Sequence, residues 1–88
     1  MSLKVPFSKT QKKRYDKVCE QIRQKLGSYE RISHEAHTCT GDRWSSETIR
    51  RWFISRTIPT DFCFVLYELM DLDFEIFDLL PWLKSFFK

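Results

Sequence analysis

The chain has 88 residues, of which 42% are hydrophobic and 16% aromatic, with only two glycines and three prolines and a formal net charge of +3. This length supports one small domain with a single core and excludes two, and the composition favours a compact helical fold. No run approaches the roughly 20 apolar residues that span a bilayer, and the start MSLKVPFSKT lacks the apolar segment of a secretion signal, so we expect a cytoplasmic protein.

The charges are segregated along the chain. Residues 1–56 contain 13 Lys and Arg against 6 Asp and Glu, a balance of +7, whereas residues 57–88 contain 2 against 6, a balance of −4. A basic surface on one side of a small domain is typical of a protein that binds phosphates. The alternative is that these charges only solvate the surface.

The first helix is predicted from its cap and its apolar spacing. Residues 1–7 are interpreted as a flexible arm, and Ser8 with Gln11 three residues later matches a capping box. Gly27 supplies the stop. The apolar stripe that follows the helical period consists of Tyr15, Val18, Cys19, Ile22 and Leu26. The other side is dense in lysine, and Lys12 and Lys13 are candidate phosphate contacts.

A second, two-turn helix is predicted for residues 29–37, with Ser28 as its cap. Residues 37–44, with the sequence HTCTGDRW, contain Gly41, Asp42 and two threonines, so we interpret them as a loop.

Residues 45–59, SSETIRRWFISRTIP, carry the strongest functional pattern. Ser45 or Ser46 can cap a helix of about residues 45–55, and the inward face has apolar side chains at positions i, i+3 and i+4, namely Ile49, Trp52 and Phe53. The other side presents Ser46, Glu47 and Arg50, with Arg51 beside them. Arginine can bind guanine through two hydrogen bonds, glutamate can accept from cytosine, and serine can contact a base or a phosphate. This stretch is therefore a candidate DNA recognition helix.

A fourth helix follows Pro59, with Thr60 or Asp61 as its cap. Its core stripe is Phe62, Val65, Leu66, Leu69 and Met70. A short fifth helix is predicted for residues 74–80, so the fold class is all-α with five helices. The tail, residues 82–88, is apolar enough either to form a dimer contact or to fold back and complete the core.

Metal binding and catalysis are not predicted. Cys19, Cys39 and Cys63 form no CxxC pair, and the HEAH sequence that contains His34 and His37 differs from the HExxH zinc helix. The glycines are too few for a phosphate-binding loop, so we expect no enzyme activity and no cofactor.

The central stretch resembles the Cro and λ-repressor-like DNA-binding family, most of all the small Cro-type regulators of phages and prophages. In that family a recognition helix of the form S-x-x-x-[IV]-x-x-W precedes a basic link, a proline and an apolar helix. The matching residues are Ser45, Ile49, Trp52, Arg56 and Pro59, followed by the apolar helix and by the element Leu79, Leu80 and Pro81. The resemblance covers about residues 28–82.

The resemblance implies a compact five-helix helix-turn-helix domain of the λ-repressor type that binds double-stranded DNA in the major groove as a homodimer and regulates transcription as a repressor. Candidate base contacts are Ser46, Glu47, Arg50 and Arg51. Candidate phosphate contacts are Lys12, Lys13, Arg43, Ser45, Arg56 and Thr57. No membrane and no small-molecule substrate are expected.

One feature departs from the family. The family joins its two motif helices by a turn of three or four residues around a glycine. The predicted gap between Ala36 and Ser45 is several residues longer. A longer loop either moves Arg43 towards the DNA backbone or makes the motif only an analogue of the helix-turn-helix.

Two other functions fit the same sequence. An excisionase-like architectural factor would bend DNA and bind direct repeats rather than a palindrome. A protein-interaction module, such as an antirepressor, would use the aromatic C-terminal part as its functional surface, with the basic side incidental.

Overall fold

In a computed structural model, which describes residues 7–81 and residue 83, the chain forms four α-helices and one short 3₁₀ helix, with no strand among those residues. The elements in chain order are α1 (Lys9–Leu26), α2 (Tyr29–Thr40), α3 (Ser46–Ser55), α4 (Thr60–Leu69) and the 3₁₀ helix (Ile76–Asp78). The all-α prediction is confirmed. Predictions that concern residues 1–6, 82 and 84–88 lie outside the described residues.

The ends of α1 follow the sequence signals. The Ser8 hydroxyl accepts the Gln11 backbone N–H at 3.1 Å, and the Gln11 side chain accepts the Ser8 backbone N–H at 2.8 Å, which is the predicted capping box. Gly27 ends the helix with φ of 95°, a conformation that a side chain would oppose. The predicted inward face is buried at Tyr15, Val18, Cys19 and Ile22.

Helix α2 is longer than predicted: of the predicted loop at residues 37–44, the first half is helical, and only residues 41–44 lie outside the helices. The helix continues to Thr40 and ends at Gly41, which has the left-handed φ of 83°. The threonines that favour a loop instead donate to carbonyls one turn earlier: Thr38 to His34 at 3.0 Å, and Thr40 to Ala36 at 2.9 Å. Such bonds allow threonine inside a helix.

The predicted fifth helix over residues 74–80 is also wrong, because only the one-turn 3₁₀ helix forms there. Asp71 and Leu72 take left-handed conformations with φ of 54° and 62°, which turn the chain after α4. Phe74 and Ile76 are then both buried, although residues two apart cannot share one side of an α-helix. Burying both apolar side chains therefore stabilises this segment more than forming a short α-helix would, because a helix of this length is unstable alone.

Helix α4 begins at Thr60, and its N-cap is Pro59 rather than the predicted Thr60 or Asp61. Pro59 is extended, with φ of −60° and ψ of 152°, so the next residue is already helical. The Asp61 carboxylate accepts the Phe62 backbone N–H at 3.0 Å and satisfies one of the free donors of the first turn.

The core is organised around an aromatic contact between α3, α4 and the residues before α3. Helix α2 packs against both α3 and α4. The Phe62 ring on α4 is 1% exposed, and its centre is 5.0 Å from the Trp44 ring and 5.1 Å from the Trp52 ring. A second link is the buried Tyr15 hydroxyl, which accepts the Ile58 backbone N–H at 3.1 Å. These contacts tie α3 to α4 and the segment after α3 to α1.

Both ends of the described chain contribute to this core. Phe7, the last residue of the predicted arm, packs its ring on Tyr15 at 5.2 Å. Leu79 and Leu80 are each 2% exposed, and Leu83 packs partly against the same cluster. These three leucines therefore complete the core, and the tail's remaining apolar residues lie outside the described residues.

We expect Phe62→Ala to lower the free energy of unfolding by about 3–5 kcal/mol, because it leaves a large cavity between two tryptophan rings. Urea unfolding followed by circular dichroism measures this change. Phe64, two residues further along α4 and 44% exposed, is the matched control, for which we expect a change within about 0.5 kcal/mol. Equal effects of the two substitutions would contradict the assigned orientation of α4.

Candidate nucleic-acid interface

Helix α3 separates an apolar inner side from a charged outer side. Ile49 and Phe53 are buried, and Trp52 is half-buried against Phe62, as the spacing predicted. Four residues were expected to read bases. Glu47, Arg50 and Arg51 are exposed, and Ser46 is half-buried near the start of the helix. The structure therefore places the three charged side chains together on the outer side.

The three exposed charges form one network. A Glu47 carboxylate oxygen lies 3.2 Å from Nη1 of Arg50 and 3.4 Å from Nε of Arg51. More than half of each of these side chains is exposed, so such pairs contribute little to stability. The ion pairs hold the guanidinium groups of Arg50 and Arg51 over one surface. Because the pairs are weak, each arginine can leave Glu47 and bind an external acceptor at a small cost in free energy.

Ser45 is the N-cap of α3, which resolves the choice between Ser45 and Ser46. Its hydroxyl oxygen accepts the Thr48 backbone N–H at 3.1 Å, and its hydrogen is directed to the Thr48 hydroxyl oxygen at 2.8 Å. The hydroxyl predicted to bind a phosphate thus already has two partners within the chain.

The turn before α3 is tied to α2 by hydrogen bonds. The Ser33 hydroxyl on α2 donates to the Trp44 backbone carbonyl, and the Asp42 backbone N–H donates to the Thr40 hydroxyl at 3.1 Å. Arg43 is exposed between these two anchored residues. It is therefore presented to solvent from a well-fixed backbone beside the start of α3.

Arg56 and Thr57, two further candidate phosphate contacts, both have partners inside the chain. The Arg56 guanidinium binds the Asp16 carboxylate of α1 through two bonds, of 3.0 Å from Nε and 2.7 Å from Nη2. Hydrogen bonding to Asp16 raises the pKa of Arg56 above its usual range. The Thr57 hydroxyl bonds the Ser55 hydroxyl at 2.6 Å. Both residues therefore stabilise the end of α3.

Lys12 and Lys13 are exposed on α1. Lys12 lies one helical turn before Asp16, on the same edge of the helix, so it lies towards the C-terminal end of α3. The candidate residues thus fall into two groups. Around the start and outer side of α3 are Arg43, Ser45, Ser46, Glu47, Arg50 and Arg51. Near the end of α3 and on α1 are Arg56, Thr57, Lys12 and Lys13.

One feature of this region was not predicted from the sequence. The Asp16 pair was missed because its partners are 40 residues apart, and no local spacing relates them. Ile54 is 59% exposed at the end of the outer side of α3, four residues after Arg50. An exposed isoleucine beside arginines can contact a thymine methyl group.

The cysteines and histidines form no metal site in the part of the chain that the structure describes, where no group of three His, Cys, Asp or Glu side chains converges. Cys19 and Cys63 are buried, and Cys39 is exposed. Burial raises the pKa of the Cys19 thiol and that of the Cys63 thiol to about 12. Both therefore stay protonated, and poor nucleophiles, near neutral pH.

We expect one of the three cysteines to react rapidly with Ellman's reagent at pH 8 in the folded protein, and all three after denaturation in urea. The reactive thiol should be Cys39, so Cys39→Ser should remove the rapid phase. Rapid reaction of two or more thiols in the native protein would contradict the burial of Cys19 and Cys63.

Comparison with known proteins adds no relative: the chain matches no family model, no curated protein and no solved structure. Over residues 7–81 and 83, none of the helices combines the length and the apolar character that crossing a membrane requires. The geometry of α2, α3 and the turn between them is therefore the feature that indicates a function.

Proposed function

We propose that this chain is a sequence-specific, double-stranded-DNA-binding transcriptional regulator of the Cro and λ-repressor-like type, which inserts α3 into the major groove. The observation that carries the proposal is the outer side of α3. There Glu47, Arg50 and Arg51 are exposed together, while the inner side is fixed by Ile49 and Phe53. A rigid helix with forked donors and an acceptor on its free side has the chemistry that reads base edges.

The connection between α2 and α3 supports the proposal. The helix-turn-helix motif joins its helices by a short turn that often contains glycine. Here α2 ends at Thr40 and α3 begins at Ser46, so residues 41–45 form the connection, and both helix caps, Gly41 and Ser45, are among them. The connection is therefore closer in length to the turn of the helix-turn-helix motif than the sequence predicted.

The polar side chains differ in how freely they can contact DNA. Arg43, Lys12 and Lys13 are exposed and are the first candidates for phosphates. Ser45, Arg56 and Thr57 would have to give up or share the bonds described above. We therefore assign the latter three a mainly structural role at the two ends of α3.

A homodimer remains part of the proposal. One helix-turn-helix reads few base pairs, and two copies about one DNA turn apart, roughly 34 Å, provide the usual gain in specificity. The proposed contact involves the apolar tail. Because Leu79, Leu80 and Leu83 already pack in the core, this contact depends on the residues beyond them.

A second candidate function is a protein-interaction module. The observation that favours it is an exposed apolar patch at the end of α4, where Phe64 is 44% exposed and Leu72 is 61% exposed beside Tyr67. Exposed apolar patches often mark association sites. The patch adjoins two acidic residues, Glu68 and Asp71, and Asp71 is paired with Lys25 of α1 at 3.4 Å.

A salt series separates the two functions. Binding to random duplex DNA, measured by fluorescence anisotropy, should weaken steeply as salt rises, because each neutralised phosphate adds about 0.9 to the log–log slope. Absence of binding at low salt would end the DNA proposal. Selection of duplexes from a random pool then distinguishes a palindromic operator from the direct repeats of an excisionase-like factor.

We expect Arg50→Ala to lose about 1–3 kcal/mol of discrimination at one base position and to keep most non-specific affinity, since a forked arginine reads a single base. Lys13→Ala is the matched control with the same loss of charge. It should weaken binding to all sequences about equally and reduce the salt slope by about 0.9. Identical behaviour of the two variants would show that α3 does not read bases.

We expect deletion of residues 84–88 to convert a dimer into a folded monomer with weaker operator binding. Leu83 is kept because it packs on the core. Sedimentation equilibrium measures the mass, and circular dichroism measures the helical content. A full-length chain that is already monomeric at high concentration would contradict the dimer proposal.

A further inference from the structure

An open groove lies between α2 and the turn at residues 41–45, beside the start of α3. Its lining residues are Glu30, Ser33, His34, His37, Arg43, Trp44 and Ser45. The groove therefore combines two imidazoles and one guanidinium with a single carboxylate. It adjoins the helix end that, in the proposed function, meets DNA.

The hydrogen bonding of His37 limits what its ring can do. Its Nδ1 atom lies 3.1 Å from the Asp42 backbone carbonyl oxygen. A carbonyl only accepts, so this bond requires the hydrogen to be on Nδ1. In the neutral ring Nε2 then carries a lone pair, which repels a phosphate oxygen. Only the imidazolium form has an N–H at Nε2 that can donate to one.

The neighbouring charges distinguish His37 from His34. From the turn, Arg43 contributes a permanent positive charge, and Asp42 contributes a carboxylate next to its bonded carbonyl. On α2, Glu30 lies four residues before His34, on the same edge, and seven before His37. Since residues four apart on a helix are direct neighbours, Glu30 mainly compensates His34. His37 is thus the imidazole whose free nitrogen is best placed to act with Arg43.

We propose that Arg43 and His37 together hold one DNA backbone phosphate, and that His37 does so only in its protonated form. This inference depends on the proposed function, because it assigns a residue of the same DNA interface. Binding of the phosphate is then coupled to the presence of a proton on Nε2 of His37. Affinity for DNA therefore rises as pH falls, by at most about tenfold per pH unit for one proton taken up.

The experiment is a binding titration of the full chain with one duplex at constant ionic strength, at pH 5.5, 6.5, 7.5 and 8.5. For the wild type we expect about tenfold tighter binding at pH 5.5 than at pH 8.5, because the proposed contact requires the imidazolium form of His37. We expect His37→Gln to bind at every pH with the affinity that the wild type has at pH 8.5. We expect His37→Lys, which stays charged, to bind at every pH with the affinity that the wild type has at pH 5.5.

His34→Gln is the matched control, because it removes the other imidazole of the same groove. It should keep most of the pH dependence, and Arg43→Ala should weaken binding at every pH. An unchanged pH profile in His37→Gln, or a flat profile in His34→Gln, would overturn the assignment of His37. Loss of all duplex binding by the wild type, even at pH 5.5 and low salt, would instead overturn the proposed function itself.

Discussion

The packing of Phe62 between Trp44 and Trp52 is the contact on which the arrangement of the other elements depends. Trp44 belongs to the turn and Trp52 to α3, so one buried ring on α4 holds both at distances near 5 Å. The contact with Trp44 is edge-to-face and that with Trp52 is tilted, and aromatic contacts of this kind combine a large buried area with a defined geometry. The net stability of a domain of this size is only about 5–15 kcal/mol, so one such contact is a large part of it. The same contact also sets the direction in which the outer side of α3 faces.

Hydrogen bonds at the two ends of α3 complete this arrangement. At the start, Ser33 holds the Trp44 carbonyl and Ser45 caps the helix. At the end, Arg56 takes a left-handed conformation with φ of 58° and is paired with Asp16 of α1. A serine and an arginine that by type suit phosphate contacts are thereby used to position the helix. The surface that remains free for a partner is correspondingly narrower than the charge pattern indicated.

The exposed arginines and His37 lie along one side of α3 and at its start, as expected for residues of the proposed DNA interface. Arg50 and Arg51 point outward from α3, and Arg43 and His37 lie at its start beside the groove. Weak ion pairs with Glu47 keep the two α3 arginines over one surface without burying them. The bond from His37 to the Asp42 carbonyl adds a chemical condition, since it leaves the ring a phosphate donor only when protonated.

Local sequence signals by themselves determined the all-α class, the caps at Ser8 and Ser28, the stop at Gly27 and the inward face of α3. These features depend on residues three to eleven positions apart, and the helical period relates such residues directly. Tertiary structure decided the rest. Only the packed chain shows that α2 extends to Thr40, that apolar burial replaces a fifth helix, and that Asp16 binds Arg56. Those outcomes depend on contacts between residues distant in sequence and on competition between local propensity and burial, which no short window of sequence contains.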